Sequence, residues 1–175
     1  MFDHIIAVLS GSTLDDTALS IAADEALRHN AVLVLLRTID PGRESTLERN
    51  LRGQTGRQGE AGSGLLEVTA RSEAVAYLEA ISRRHHLYSR VELVVRKDMV
   101  SSAIIDEATC RQRSLVVMPF GAEEGHIPGM RQGTLPLLLA LLGCPLMFVG
   151  SNTNPPRQYA AEVFERNDAY AGIPF

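Results

Sequence analysis

The last third of the chain carries glycine and threonine residues in a pattern suited to binding a phosphate. Four glycines at four-residue spacing lead to Thr134, namely Gly121, Gly125, Gly129 and Gly133. Glycines ahead of a helix can turn backbone N–H groups toward an anion, and the helix dipole adds partial positive charge at the same place. This loop is therefore the leading candidate for a phosphate site.

Two acidic residues in the same loop oppose that interpretation. Glu123 and Glu124 would each repel a polyphosphate through Coulomb repulsion. Arg131 could supply compensating charge, although a solvated arginine is the simpler interpretation. Two hypotheses stay open: a rearranged nucleotide or anion loop, and a flexible loop on a degenerate site. The acids favour the second, while a ligand with less charge than ATP, such as an adenosine-like molecule or a dinucleotide, is compatible with the first.

The sequence offers little support for catalysis or metal binding. The five histidines are scattered, and no serine or cysteine has a recognisable base and orienting acid nearby. His126 lies in the candidate loop and could exchange a proton near neutral pH, which leaves a slow nucleotide hydrolase as one alternative. We otherwise predict no catalytic residue and, because ligand spacing is lacking, no metal site.

Composition predicts one globular, cytoplasmic domain. The chain has 175 residues, 45% of them hydrophobic, and a net charge of −4, which provides no basic surface for nucleic acid. Its longest apolar run, 135–142, is far shorter than the roughly 20 residues that span a bilayer, so we expect no membrane insertion. The N-terminus has no signal-type pattern. Cys110 and Cys144 lie among apolar residues and are expected to be buried structural thiols.

Apolar runs alternate with segments of helical periodicity along residues 1–150. This order predicts an α/β fold with an open, five-stranded, mostly parallel sheet and helices on both faces. Thr134 is predicted to cap the last helix, with Pro136 in its first turn. The expected strands are His4–Leu9, Val32–Leu36, Val91–Val95, Leu115–Met118 and Leu146–Val149.

Such sheets bind ligands at the carboxyl ends of their strands, where the strand order reverses. Ser10, Thr38 and the loop after Met118 all follow or end predicted strands. We therefore expect these three places to share one crevice.

Two segments interrupt the alternation. Residues 41–64 contain six glycines among polar residues and are predicted to be a flexible insertion loop, with a functional lid as the alternative. Residues 151–175 form a C-terminal tail beyond the domain. Its aromatic residues recur every five or six positions, at Tyr159, Phe164, Tyr170 and Phe175.

Residues 3–150 resemble the universal stress protein family. The first strand and turn, HIIAVLSGST, are similar to the family's opening, and LVVMPFG followed by GTLPLLLALLGCPLMFV is similar to its closing segment. The resemblance implies a Rossmann-like fold and a stress-related binding or regulatory role without turnover.

The resemblance also implies where a nucleotide would bind. ATP-binding members have an acid at the end of the first strand, and a loop reading Gly, two residues, Gly, nine residues, Gly-Ser or Gly-Thr. Here Ser10 replaces the acid, whereas Gly133-Thr134 match the closing pair. Counting back from Gly133 places Phe120 and Glu123 at the two glycine positions, or Pro119 and Ala122 if the gap is one residue longer. The implied site comprises Leu9, Ser10, Thr38, Met118, Gly121, Gly133 and Thr134.

We therefore expect weak or absent ATP binding and no required cofactor, with binding of ATP or AMP by a rearranged loop as the alternative. Edge strands such as 146–149 commonly join two subunits in this family, which implies a homodimer. The aromatics of the 157–175 tail are expected to cover apolar surface on the dimer or, alternatively, to bind a separate protein partner.

Overall fold

The computed structural model describes residues 1–39, 61–87, 90–120, 130 and 133–150, with side chains in the second helix from residue 67 onward. Strands and helices alternate throughout these ranges. In chain order they are β1 His4–Leu9, α1 Asp15–His29, β2 Val32–Thr38, α2 Ala61–Arg84, β3 Val91–Arg96, α3 Val100–Cys110, β4 Ser114–Phe120, α4 Thr134–Leu141 and β5 Leu146–Gly150.

The five strands form one parallel sheet in the order β3-β2-β1-β4-β5. The chain builds outward from β1 to one edge and then crosses back to β4, so the strand order reverses between β1 and β4. This confirms the predicted fold class, and it confirms that β5 lies at an edge of the sheet.

Two hydrophobic cores fill the two faces of the sheet. Alternate residues of β1 point in opposite directions, so Ile5 packs beneath α1 and α2 whereas Ile6 packs beneath α3 and α4. The helices contribute small or aliphatic residues at helical spacing, such as Ala18 and Ala22 of α1 and Ile104 of α3. Because both faces are covered, the central strands have nearly continuous apolar sequences.

A buried charged network fixes α3 against the edge strand β3. The carboxylate of Glu107, on α3, accepts a hydrogen bond from Arg96 Nε at 2.7 Å and another from Arg111 Nε at 3.0 Å. Arg111 also pairs with Glu92 of β3 at 2.8 Å. The side chain of Glu107 is only 3% exposed, so the two guanidinium groups compensate for its desolvation.

Helix ends follow the expected chemistry in one case and differ in another. Asn30 ends α1 in the left-handed conformation, which asparagine tolerates better than most residues. The N-cap of α4 is Gly133, at φ 83°, and Thr134 is the first helical residue, so the prediction that Thr134 caps this helix was wrong. Glycine takes the cap because this positive φ has no steric cost without a Cβ.

Several boundaries differ from those predicted: β2, β3 and β5 each extend one or two residues further, and two other differences concern α2 and β4. Helix α2 begins at Ala61, so the last four residues of the predicted 41–64 loop are helical; residues 40–60 lie outside the described residues. Strand β4 continues through Pro119 to Phe120 instead of ending at Met118. Proline is tolerated there because the pairing of β4 with β1 ends at Val117, which leaves no ladder bond on that side for the missing N–H.

The cysteines also differ from expectation. Cys110 is exposed at the end of α3, because α3 ends with its last residues turned toward solvent. Cys144 is half-buried, and burial raises the pKa of its thiol. No helix in the described ranges has both the length and the apolar character needed to cross a bilayer.

Candidate functional site at the ends of the strands

The pairing of β1 with β4 stops before either strand ends, and we call the place between their unpaired carboxyl ends the cleft. These strands pair only from His4–Ser114 to Ala7–Val117, whereas β1 remains paired with β2 as far as Leu9 and β4 with β5 as far as Phe120. The divergence lies at the carboxyl ends of the strands and at the reversal of strand order. This is where an open α/β sheet is expected to bind a ligand.

The loop leaving β1 is organised around the carboxylate of Asp15, which is 1% exposed. Its Oδ1 accepts hydrogen bonds from the hydroxyls of Ser10, at 3.1 Å, and Ser12, at 3.0 Å. Its Oδ2 accepts from the Gly11 N–H at 2.7 Å and from the Tyr77 hydroxyl, also at 2.7 Å. The acid therefore fastens the turn after β1 to the side of α2.

The Ser10 hydroxyl is already occupied by hydrogen bonds within this loop. It donates to Asp15 and also accepts from the Ser12 N–H at 3.3 Å. A hydroxyl has one proton to donate, so Ser10 can offer a ligand only a remaining lone pair unless it releases Asp15.

Tyr77 and Arg37 extend the same arrangement toward β2. The Arg37 guanidinium lies over the Tyr77 ring, 4.1 Å from its centroid, in a cation–π contact. Burial, and next the hydrogen bond to Asp15, raise the pKa of Tyr77 well above its ordinary value of 10.0. Tyr77 therefore remains a neutral hydrogen-bond donor throughout the physiological pH range.

Both the backbone conformation and the neighbouring side chain of Arg37 favour glycine at position 11. The φ of Gly11 is +86°, and a Cβ built at this position would lie 3.2 Å from Arg37 Nη2. The guanidinium is thus held between the backbone of Gly11 and the ring of Tyr77. In the part of the chain that the structure describes, Nη1 of Arg37 is buried and has no hydrogen-bond partner.

Leu9 and Met118, both predicted site residues, are separated by the sheet. The Leu9 side chain belongs to the core beneath α1 and α2, and that of Met118 to the core beneath α3 and α4. Both side chains are almost fully buried. Any contact of these two residues with a ligand would therefore involve the backbone at the cleft.

Thr38 ends β2 beside Arg96 of β3 and is half-buried. Gly133 lies at the start of α4, and a Cβ built there meets no atom of the described residues within 4 Å. Gly121 lies outside the described residues, as do Glu123, Glu124, His126 and Arg131.

Phe120, which falls at a glycine position of the ATP-binding pattern, packs away from the cleft. Its ring meets that of Phe148 edge-on, with centroids 5.7 Å apart, in the core beneath α3 and α4. The bulk of this side chain is therefore accommodated by β5. Among the described residues, no three His, Cys, Asp or Glu side chains lie close enough together to hold a metal ion.

Sequence reasoning did not identify Asp15, Tyr77 or Arg37 as parts of the site. Asp15 and Asp16 lie in the first turn of α1, where acids interact favourably with the helix dipole, so their presence in the sequence indicates no further role. One available signal was the cluster of Ser10, Gly11 and Ser12 just before Asp15, because consecutive short donors suit a carboxylate acceptor. The contact with Tyr77 spans 62 residues and has no local signal.

Comparisons with known proteins agree with this architecture. The sequence profile of the universal stress protein family matches residues 1–130. No curated protein sequence matches the chain.

Three solved structures illustrate the likeness in fold. The hypothetical protein MJ0577 is 14% identical, with a TM-score of 0.65, over 88% of this chain and 99% of its own. The universal stress protein UspA from Lactobacillus plantarum is 17% identical, with a TM-score of 0.59, over 85% and 97%. A universal stress protein in complex with cAMP is 15% identical, with a TM-score of 0.57, over the same two fractions. Since the family profile covers most of the chain, the protein belongs to the universal stress protein family.

Proposed function

We propose that this protein is a non-catalytic binding or regulatory member of its family, acting in the cytoplasm as a homodimer, and that it binds ATP weakly or not at all. The observation that carries this proposal is the hydrogen bond that the Ser10 hydroxyl donates to Asp15. The residue at the end of β1 donates its only proton inward, at 3.1 Å, and has no carboxylate with which to bind a ribose. Asp15 cannot take over that role, because four donors already occupy its two oxygens.

A second candidate function is binding of an adenine nucleotide that carries less charge than ATP. Gly133 supports it, because it is the N-cap of α4 and the N-terminal end of a helix offers partial positive charge to one phosphate. The related structure in complex with cAMP supports the same class of ligand. Such a ligand would suffer less repulsion from Glu123 and Glu124 than ATP would.

The homodimer is supported by a contrast between the two edges of the sheet. At one edge, β3 carries the charged residues Glu92 and Arg96, which disfavour pairing with another strand. At the other edge, β5 has the sequence LMFVG with no charge. An uncharged edge strand of this kind is suited to pairing with a second copy.

Native mass spectrometry of the purified protein, followed by calorimetric titration with ATP, AMP and cAMP, tests these proposals together. We expect a dimer without stoichiometric ATP, and weak or undetectable heat with ATP. ATP that is retained at one molecule per subunit would contradict the principal proposal, and release of inorganic phosphate from that ATP would contradict the absence of turnover.

A pair of glycine variants tests the second candidate. Binding of AMP or cAMP should weaken in Gly133→Ala, because alanine disfavours the left-handed cap, and should persist in Gly143→Ala. Equal effects of the two substitutions on nucleotide binding would contradict the placement of the phosphate at the start of α4.

A further inference from the structure

Helix α4 differs from the other surface helices in having no charged residue. Its sequence is TLPLLLAL, and only one of its leucines, Leu138, is fully buried against the sheet. A helix that is apolar on all sides is normally covered on all sides. The composition of α4 thus indicates that something packs on its outer surface.

The uncovered part of α4 is one continuous apolar strip. Leu137 is 55% exposed and Leu141, one turn further along, is 57% exposed. Pro136 and Ala140 are exposed beside them. We call these four residues the α4 strip. Leu27 on α1 is even more exposed, at 81%, but it is a single apolar residue between Asp24 and Arg28 and forms no such strip.

The chain itself supplies a segment that matches the strip. Residues 157–166 read RQYAAEVFER and follow Pro155-Pro156. Apart from Ala161, their apolar residues occur at the i, i+1, i+4 and i+5 positions that share one side of a helix, and the charged residues fall on the other side. The apolar set is Tyr159, Ala160, Val163 and Phe164.

The point at which the tail leaves the domain favours its own α4 strip. Strand β5 ends at Gly150 and packs beneath α4, because Phe148 and Leu146 share a core with Leu138. Six residues, 151–156, separate that end from Arg157. An extended segment of this length spans roughly 20 Å, whereas packed helices lie about 8–10 Å apart. The connection is therefore long enough to return over α4 within one subunit.

We propose that the apolar residues of segment 157–166 pack on the α4 strip of the same subunit. Tyr159, Val163 and Phe164 cover Leu137 and Leu141, and the charged residues of the segment take over the solvent-facing role that α4 lacks. This docking is independent of any nucleotide at the ends of the strands.

Limited trypsin digestion of the full chain tests the proposal, because Arg157 and Arg166 flank the segment. In Leu137→Asp/Leu141→Asp, we expect cleavage at these two arginines to become about tenfold faster, as the open population rises. The matched control is Leu27→Asp, which introduces the same acid at an exposed leucine and should leave the cleavage rate unchanged. Equal rates in the wild type and the double variant would overturn the proposal, as would equal acceleration in the control.

Hydrogen exchange provides the reciprocal measurement. In Tyr159→Ser/Phe164→Ser, amides of α4 should exchange about tenfold faster while those of β1 do not change. Unchanged exchange in α4 would overturn the docking. The protection of α4 by the tail could instead disappear when the protein is diluted and its subunits separate. That result would place the segment on a neighbouring subunit and overturn the same-subunit proposal.

Discussion

The Tyr77 hydroxyl donates a 2.7 Å hydrogen bond to Oδ2 of Asp15, joining the middle of α2 to the first turn of α1. This contact lies directly behind the turn that leaves β1. Asp15 accepts hydrogen bonds from the turn on one side and from α2 on the other.

Replacing Asp15 should destabilise the fold. In Asp15→Ala, four donors lose their acceptor in a buried position, and we expect the free energy of unfolding to fall by about 2–4 kcal/mol. Urea denaturation measures this change. Asp24→Asn, on the exposed side of the same helix, is the matched control and should change stability by less than about 0.5 kcal/mol. Similar losses in both variants would show that Asp15 acts only through helix charge.

Tyr77 should make the protein sensitive to alkaline pH. Its pKa is raised in the folded state, so the folded protein retains a proton that the unfolded chain loses above pH 10.0. The stabilisation by the neutral phenol is therefore complete below pH 10.0 and is lost as the pH rises beyond it. Denaturant unfolding between pH 8 and 11 should show a steeper decline for the wild type than for Tyr77→Phe. Parallel curves would contradict this linkage.

Gly11 should not tolerate a side chain. Gly11→Ala combines the strain of a φ of +86° with a 3.2 Å approach to Arg37 Nη2, and we expect a loss of about 1–2 kcal/mol in unfolding free energy. Gly143→Ala is the control, because a Cβ there meets no atom of the described residues within 4 Å. Thermal denaturation of both variants separates a local effect from a general effect of removing glycine.

Introducing an acid at the end of β1 should not produce tight ATP binding. Ser10→Asp places a second carboxylate where the Ser10 hydroxyl now donates to Asp15, and we expect a loss of about 2 kcal/mol or more through repulsion and the missing hydrogen bond. The double variant Ser10→Asp/Asp15→Asn should be less destabilised than the sum of the single variants. Tight ATP binding by Ser10→Asp at unchanged stability would contradict the assignment of Asp15.

The two thiols should react at different rates. Cys110 is exposed, whereas burial raises the pKa of Cys144 and so lowers its thiolate fraction. Titration with Ellman's reagent at pH 8 should therefore show a fast and a slow phase, about tenfold apart or more. Cys110→Ser should remove the fast phase. Loss of the slow phase in that variant would reverse the assignment.

The order of elements could be predicted from sequence because the signals are local. Runs such as Val32–Leu36 and turns such as His29-Asn30 are visible within a few residues. The predicted site residues at the end of β1 and at the start of α4 also fall at the expected edge of the sheet. Their position follows from strand polarity, which the βαβ alternation determines.

The sequence could not predict contacts between distant residues, or which hydrogen-bonding groups already have a partner in the fold. That Ser10 is already occupied follows from the carboxylate of Asp15, whose own orientation depends on Tyr77, 62 residues away. The inward packing of Phe120 likewise depends on Phe148. The resemblance to ATP-binding members identified Ser10 and Phe120 as departures from their pattern, but only the partners of these two residues determine what the departures do.

The division of each central strand between two cores has a consequence for how this protein can change over evolution. Because Ile5 and Ile6 belong to different layers, neighbouring substitutions in one strand are accommodated independently by different helices. Mutational drift in the α3 and α4 layer can proceed without repacking the α1 and α2 layer. Residues from both layers lie next to each other at the ends of the strands. Substitutions in either layer can therefore change the specificity of a site there while the rest of the fold is kept.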